Sequence, residues 1–343
     1  MSKLLLTGAT GFIGSHVLEG LIASGQPVVI LARAGSNLAH ARSLGVEIRT
    51  GNLLDVQSLS RAAQGCDQII HTAALASDWA KCEDFCASNV VGTLNVLEVS
   101  KRLGMRHVVL TGSISSYGEE DCVTPKDELS PYRSHYPYCL DRVFHSRLNY
   151  YRDSKALATR KAIEFAQEHS LCLTILEPVW VYGEREFHSG FYSYVKAVKG
   201  GSHWMPGCKH NLFHVIYAKD LARAYVLAAQ KRLPGVERII VGNAHPEPMR
   251  RILGLFCQEA GVPAPRLLAK WMAYPAGFAM ELAATVLRAP EAPLLTRGRV
   301  NMFYDSIVYS VQKAKRLLGF EAEFSLERGI HQTVTWYKAN QFL

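Results

Sequence analysis

The sequence predicts an α/β fold, a doubly wound parallel sheet with a smaller, mainly C-terminal lobe. Three observations predict it. A glycine turn, Gly8-Ala9-Thr10-Gly11-Phe12-Ile13-Gly14, follows the apolar run Leu4-Leu5-Leu6 and opens into a helical pattern of Ile13, Val17, Leu18, Leu21 and Ile22. Apolar strand-like runs then alternate with helix-like segments through the first half of the chain. Beyond about residue 180 the alternation gives way to irregular sequence rich in Gly, His and aromatic residues, followed by more helices.

In the glycine turn one glycine permits the reversal, one lets a pyrophosphate approach the backbone, and one lets helix and strand pack closely. The helix start directs free N–H groups and a partial positive charge at phosphates. Such turns also occur for structural reasons alone, so by itself this one leaves both readings open. Residues 27–32, 46–49, 68–71, 107–110 and 171–176 read as further strands, with a helix over 89–103. Alternation of this kind gives a Rossmann-type sheet covered on both faces. Residues 1–180 are expected to form that core and 181–343 mainly the lobe, with some strands and helices returning to the core. The runs 213–217 and 238–241 read as strands that rejoin the main sheet, and 221–230 and 249–260 as helices. Neither a fixed-period repeat nor a low-complexity stretch is visible.

The chain of 343 residues, 48% of them hydrophobic, can bury a substantial core. Lys and Arg exceed Asp and Glu by 38 to 30, giving a net charge of +8. That excess suits an anionic ligand or is plain surface charge. The basic residues are dispersed and no nucleic-acid motif occurs, which excludes nucleic acid as the main partner. The eight cysteines are scattered without a Cys-x-x-Cys pair, so neither a metal site nor a disulfide framework is expected, and free thiols in the cytoplasm fit best. The chain starts on its first strand, which predicts no signal peptide. The apolar stretch 271–287 is too short to cross a bilayer and reads as an internal helix covering a pocket or as an interfacial helix touching lipid.

Tyr151 and Lys155 stand four apart at the start of a helical run, so both side chains share one face. A free tyrosine is a poor base at neutral pH, and a neighbouring ammonium lowers its pKa. Alone, the spacing also occurs by chance. Thr111-Gly112-Ser113-Ile114-Ser115-Ser116-Tyr117-Gly118 follows the strand ending at Leu110, where side chains face the ligand crevice of a parallel sheet. Ser113 can there donate to a substrate oxygen. Ser115 reads as a turn residue near substrate, and Tyr117 as packing or pocket lining.

These three elements, in this order and spacing, resemble the extended short-chain dehydrogenase/reductase family over nearly the whole chain. Gly51-Asn52-Leu53-Leu54-Asp55, His71-Thr72-Ala73-Ala74, Asn89-Val90-Val91-Gly92-Thr93 and Glu177-Pro178-Val179-Trp180-Val181-Tyr182-Gly183 add to the resemblance. The resemblance implies Tyr151 as proton donor or acceptor, Lys155 holding the nicotinamide ribose, and Ser113 polarising the reacting oxygen. It implies cofactor contacts from Gly8, Thr10, Gly11, Phe12, Ile13, Gly14, Arg33, Ser36, Asn52, Leu53, Thr72, Ala73, Ala74, Asn89, Thr111, Pro178, Val179 and Val181 as well as Tyr151 and Lys155. Dimerisation through the helices at about 89–103 and 151–169 is implied in the same way.

The end of the second strand, Leu31-Ala32-Arg33-Ala34-Gly35-Ser36, carries no acid to accept from an adenosine ribose. Arg33 and Ser36 suit a 2′-phosphate and favour NADP(H). Arg33 can instead stack on adenine, which leaves NAD(H) open. Asn52 stands where the family usually has an aspartate facing the adenine amine, and its amide oxygen can accept that bond.

Sugar-nucleotide members of the family often carry an arginine seven residues before an aspartate, and alignment on Asp220 puts Phe213 there. A phenylalanine cannot pair a diphosphate. Dehydratases place Asp-Glu after the serine position, where this chain has Ile114-Ser115. The C-terminal third, including 293–297, 309–320 and 325–330, is most similar to the 3β-hydroxysteroid dehydrogenase-like branch. Residues 131–147, rich in tyrosine and arginine, are expected to form a lid with an aromatic wall, a surface excursion being the alternative. The expected function is an NAD(P)-dependent oxidoreductase moving a hydride between the cofactor and a ketone or secondary alcohol of a hydrophobic sterol-, polyketide- or 3-oxoacyl-like substrate. Ser115, Tyr117, Tyr182 and Phe213 are the expected substrate contacts. A nucleotide-sugar epimerase with bound NAD is the alternative, and a non-catalytic NAD(P)-binding regulator the third reading.

Overall fold

In the computed structural model, which describes residues 3–118, 122, 124–187, 190–208 and 210–343, the chain builds a seven-stranded parallel sheet. Its strands are β1 (Lys3–Thr7), β2 (Val28–Ala32), β3 (Glu47–Thr50), β4 (Cys66–His71), β5 (His107–Thr111), β6 (Leu173–Pro178) and an edge strand, Val236–Val241. The order is edge strand, β6, β5, β4, β1, β2, β3, so the direction of winding reverses between β1 and β4. Ligands of open α/β sheets bind beyond the carboxyl ends of the strands at such a reversal.

The inner strands are apolar because both of their faces are covered. Leu4, Leu5, Leu6, Val29, Ile30, Ile69, Ile70, Val108 and Val109 are fully buried. On one face, helix α1 (Phe12–Ala23) packs against Ala218–Lys231. The contact is close because Gly20 presents no side chain, and a Cβ there would lie 3.6 Å from that of Ala222. The helices Gly92–Arg102 and Arg147–Glu168 cover the other face and pack on each other.

The expected helix over 89–103 is a π-helical turn, Cys86–Val91, running into the α-helix from Gly92. The expected strand 238–241 does join the sheet, as part of the edge strand paired with β6. The run 213–217 does not. His214 breaks it into Leu212–Phe213, which pairs with Glu247–Pro248, and Val215–Tyr217, which pairs with Trp180–Tyr182. The His214 ring is tied to the Asn243 carbonyl at 2.7 Å, and its own carbonyl accepts from the Trp180 N–H at 3.2 Å. These two-stranded pieces, with Trp204–Pro206 paired to Arg266–Leu268, build a wall above the carboxyl edge of the sheet.

The stretch 271–287 forms the helix Lys270–Val286, and none of its residues lines the cavity described below. The expectation of an internal helix covering the pocket is therefore corrected. Only Ala273, Gly277 and Glu281 of this helix are buried, so most of its apolar surface faces outward.

Candidate active site

The loops leaving the carboxyl ends of β1, β2, β4, β5 and β6 enclose one continuous cavity of about 630 Å³. At its base is the glycine turn. Gly8 has φ +78°, and a Cβ there would lie 2.5 Å from the Ala73 nitrogen, since the turn rests on the end of β4. A Cβ on Gly14 would collide with the Gly8 carbonyl. Gly11 begins α1 without a side-chain cap, and the first turn holds no acid. Backbone N–H groups and the positive helix end therefore serve the cavity floor made by Gly11, Phe12, Ile13 and Gly14. Arg33 is exposed at the rim and makes no ion pair among the described residues, with Ser36 close by in the same turn. An uncapped helix start and an unpaired guanidinium fit the pyrophosphate and adenosine end of a dinucleotide.

Deeper in, Lys155 is buried, and its Nζ donates to the Thr111 carbonyl at 2.5 Å. Burial pulls the ammonium down to about 8, against the nearby Glu177 carboxylate, which raises it. Tyr151 lines the cavity one helical turn away. Burial pushes its phenol above the ordinary value, and a hydrogen bond with Ser113 opposes that shift. Desolvation sets the direction of this shift. Ser113 Oγ lies 2.6 Å from Ser115 Oγ and accepts from the Ser115 N–H at 3.2 Å. Ser113, Tyr151 and Lys155 all border the cavity, and Ser113 hydrogen-bonds the Tyr151 phenol.

Most of the expected cofactor contacts do line the cavity, including Thr10, Leu53, Thr72, Ala73, Ala74, Thr111, Pro178, Val179 and Val181. Asn52 lines it too, but its Oδ1 already accepts from the Leu54 N–H at 3.1 Å, closing a local turn. Asn89 does not line it. Its side chain accepts from the Leu75 N–H at 2.8 Å and donates to the Leu75 carbonyl and to Ser154 Oγ, so it braces a wall rather than touching a ligand.

Ser115 and Phe213 border the cavity as expected, whereas Tyr117 and Tyr182 do not. Tyr117 is buried, and its hydroxyl donates to Glu177 Oε2 at 2.6 Å. Tyr182 is buried among Phe191, Tyr217 and Phe256. Both are core residues because their strand and turn direct them beneath the cavity wall. The lid is also corrected. No residue of 131–147 lines the cavity. Tyr132 donates to Glu177, His135 bridges Asp141 and Asp153, and Arg147 stacks on Trp79 at 4.4 Å. The segment is a strap bound to the core.

Sequence reasoning missed two parts of the site. One is Glu177; it is buried, accepts from Tyr117 and Tyr132, and its charge raises the pKa of Lys155. A carboxylate inside a largely apolar strand run was the available signal. The other is the apolar wall of Trp180, Phe191, Tyr194, Met205, Met249, Leu253, Leu294, Leu295, Met302 and Phe303. These residues come from six separate segments, and no spacing pattern links them. Burial drives the wall together, and among its described residues the one cation, Arg299, is paired to Asp78 at 2.5 Å.

The model of the NAD dependent epimerase/dehydratase family matches residues 4–242. The chain belongs to that family. Within it, the chain is an extended short-chain dehydrogenase/reductase and an NAD(P)-dependent enzyme. It is 27% identical over 344 residues to a 2-alkyl-3-oxoalkanoate reductase of Shewanella oneidensis, covering 96% of this chain and 85% of that protein. It is 25% identical to a decarboxylating sterol-4-alpha-carboxylate 3-dehydrogenase of Mus musculus, covering 97% of this chain and 90% of the relative. Among solved epimerase/dehydratase structures, a UDP-glucose 4-epimerase of Thermotoga maritima is similar in fold, with a TM-score of 0.77 at 21% identity and 99% coverage of both chains.

Proposed function

We propose that this epimerase/dehydratase family member reduces a ketone, or oxidises the matching secondary alcohol, on a hydrophobic substrate of the 3-oxoacyl or sterol class. The observation that carries this reading is the junction of the Ser113, Tyr151 and Lys155 cluster with an apolar wall inside one cavity. A wall of that kind desolvates an alkyl or ring substrate at about 25 cal/mol per Å² buried, and among its described residues offers a sugar diphosphate no unpaired cation. The named activities of the reductase and sterol relatives support the same substrate class.

A nicotinamide cofactor, when bound, supplies or accepts the hydride. The chain's own groups do the rest. Tyr151 gives its proton to the substrate oxygen, or takes one in the reverse direction. Ser113 donates to that oxygen and keeps it beside the phenol. Lys155, held by the Thr111 carbonyl, places a positive charge near the ribose and stabilises the phenolate as it forms. The glycine turn holds the pyrophosphate. Arg33 and Ser36 select NADP(H) by pairing a 2′-phosphate. Residues 1–180 hold the cofactor, while 181–343 supply most of the substrate wall.

Two copies pair through Gly92–Arg102 and Arg147–Glu168, a reading supported by Leu157 exposed on the second and Leu103 exposed just past the end of the first. The free state of all eight cysteines supports a reducing cytoplasm.

Steady-state assays of NADPH oxidation across 3-oxoacyl compounds, sterol ketones and nucleotide sugars test the function. Net oxidation with the hydrophobic ketones is expected. Interconversion of nucleotide sugars without net oxidation would select the epimerase reading instead.

A further inference from the structure

The helix Lys270–Val286 is 17 residues long and amphipathic in an inverted sense. At about 100° per residue, Trp271, Met272, Met280, Leu282 and Val286 fall within one half of its circumference. All five are exposed, Trp271 by 77% and Val286 by 71%, and Leu287 continues the stripe at 79%. The positions between them on that half are Pro275 and alanines, and no charge interrupts it.

The opposite side fixes this orientation. Glu281 is buried and paired with Arg297 at 2.9 Å, and Arg297 also donates to the Cys139 and Phe144 carbonyls. Gly277 sits so close to the next helix that a Cβ would lie 3.0 Å from Val300. The Cys139 and Phe144 carbonyls belong to the strap, which adds Leu140 and Val143, both strongly exposed, beside the helix. A rigid apolar face of this size on a water-facing surface marks a docking site.

Charge selects the occupant. Arg142 lies between Leu140 and Val143, and Arg288 follows the stripe. Both are exposed, and neither has an ion pair among the described residues. The helix's own Lys270 and Glu281 are each consumed by a partner, leaving Glu291 as the exposed acid just beyond it. Two copies docked through this face would bring unpaired arginines together, whereas an anionic lipid surface complements them. Among the described residues no helix is long and apolar enough to cross a membrane. At roughly 25 Å this one matches a helix lying in the plane of the interface, with Trp271 as its amphipathic anchor.

We propose that the face of helix Lys270–Val286, with Leu140 and Val143 of the strap, seats the protein on an anionic membrane surface. The chain leaving this helix reaches Leu294, which is itself 43% exposed and lines the cavity. The docked face and the cavity lining are thus only a few residues apart along the chain, so that an apolar substrate concentrated in the lipid lies close to the site. Delivery rests on the proposed substrate class, but docking does not.

The test is co-sedimentation of the full chain with vesicles of phosphatidylcholine alone and of phosphatidylcholine with phosphatidylglycerol. Binding to the anionic vesicles at least about 10-fold above the neutral ones is expected, weakening with salt. The double variant Trp271→Glu, Val286→Glu is expected to lose that binding at an unchanged melting temperature, and Arg142→Gln, Arg288→Gln to lose the preference for anionic lipid. Wild-type protein that stays in the supernatant with both vesicles overturns the proposal, as does a Glu variant that still binds. Light scattering adds a further outcome: a dimer that the Glu variant splits, without vesicle binding, assigns the face to a second copy and also overturns it. Failure to reduce hydrophobic ketones would sink the functional reading while leaving vesicle binding as it is.

Discussion

The two halves of the cavity are built by different means. The half proposed for the cofactor is made by backbone: a glycine turn at φ +78°, a bare helix start, and strand ends whose carbonyls hold Lys155 and Thr72. The half proposed for the substrate is lined by side chains gathered from distant segments, among them Phe213, Met249 and Met302. Backbone geometry permits few residue types at a position, while an apolar wall accepts any set of the right volume. Substitutions in the first half should therefore damage all substrates alike. Those in the second should redistribute preference among them.

The largest expected effect tests the point where the halves meet. Tyr151→Phe should lower kcat/KM by about 10²–10⁴-fold on every substrate while NADPH binding, read by fluorescence titration, stays near wild type. Next comes Gly8→Ala. With φ +78° and the Ala73 nitrogen 2.5 Å from the new Cβ, it should abolish cofactor binding and cost about 1–3 kcal/mol of stability by thermal melting. Loss of selectivity without loss of cofactor binding would break the contrast between the halves.

Arg33→Ala should raise KM for NADPH by about 10–100-fold and leave NADH nearly unchanged, the scale of one charge-assisted hydrogen bond. Equal changes with both cofactors would remove Arg33 from the 2′-phosphate.

The pH profile comes next in size. Lys155 is held near 8, below its ordinary 10.5, so the ammonium proposed to bind the ribose is lost as pH rises through about 8, and turnover should fall there. The linked stability has the opposite sign. Between about 8 and 10.5 the unfolded chain binds the extra proton, so this group's contribution to stability rises with pH across that window and is lost as pH falls through 8. Glu177→Gln removes the charge that raises Lys155, so the falling limb of turnover should move to lower pH. A limb that stays put would detach Glu177 from Lys155.

Met249→Ala should act least, changing KM among alkyl substrates by a few-fold and favouring bulkier chains, with NADPH binding constant.

Legibility in the sequence follows the same division. The glycine turn, Ser113, Tyr151 and Lys155 could be read because their chemistry demands particular residues at fixed local spacing. The sheet could be read because strands buried on both faces are continuous apolar runs. Tyr117 and Tyr182 were misassigned because a tyrosine next to a motif looks the same whether it faces the cavity or Glu177 and Phe256 beneath it. The strap 131–147 looked like a lid because the partners of its Tyr132 and Arg147, Glu177 and Trp79, stand dozens of residues away in sequence. Helix Lys270–Val286 defeated the ordinary pattern rule, since its apolar half faces out and its one acid faces in. Phe213 could be placed because a missing arginine is itself a local signal. The rest of the wall sends none.

The most direct test of the central claim uses NADPH carrying deuterium at the transferable position and a hydrophobic ketone. The expected result is one NADPH oxidised per alcohol formed, with deuterium on the carbinol carbon, and none of this in Tyr151→Phe. Turnover in which NADPH is not consumed, or undiminished transfer in Tyr151→Phe, would contradict the account.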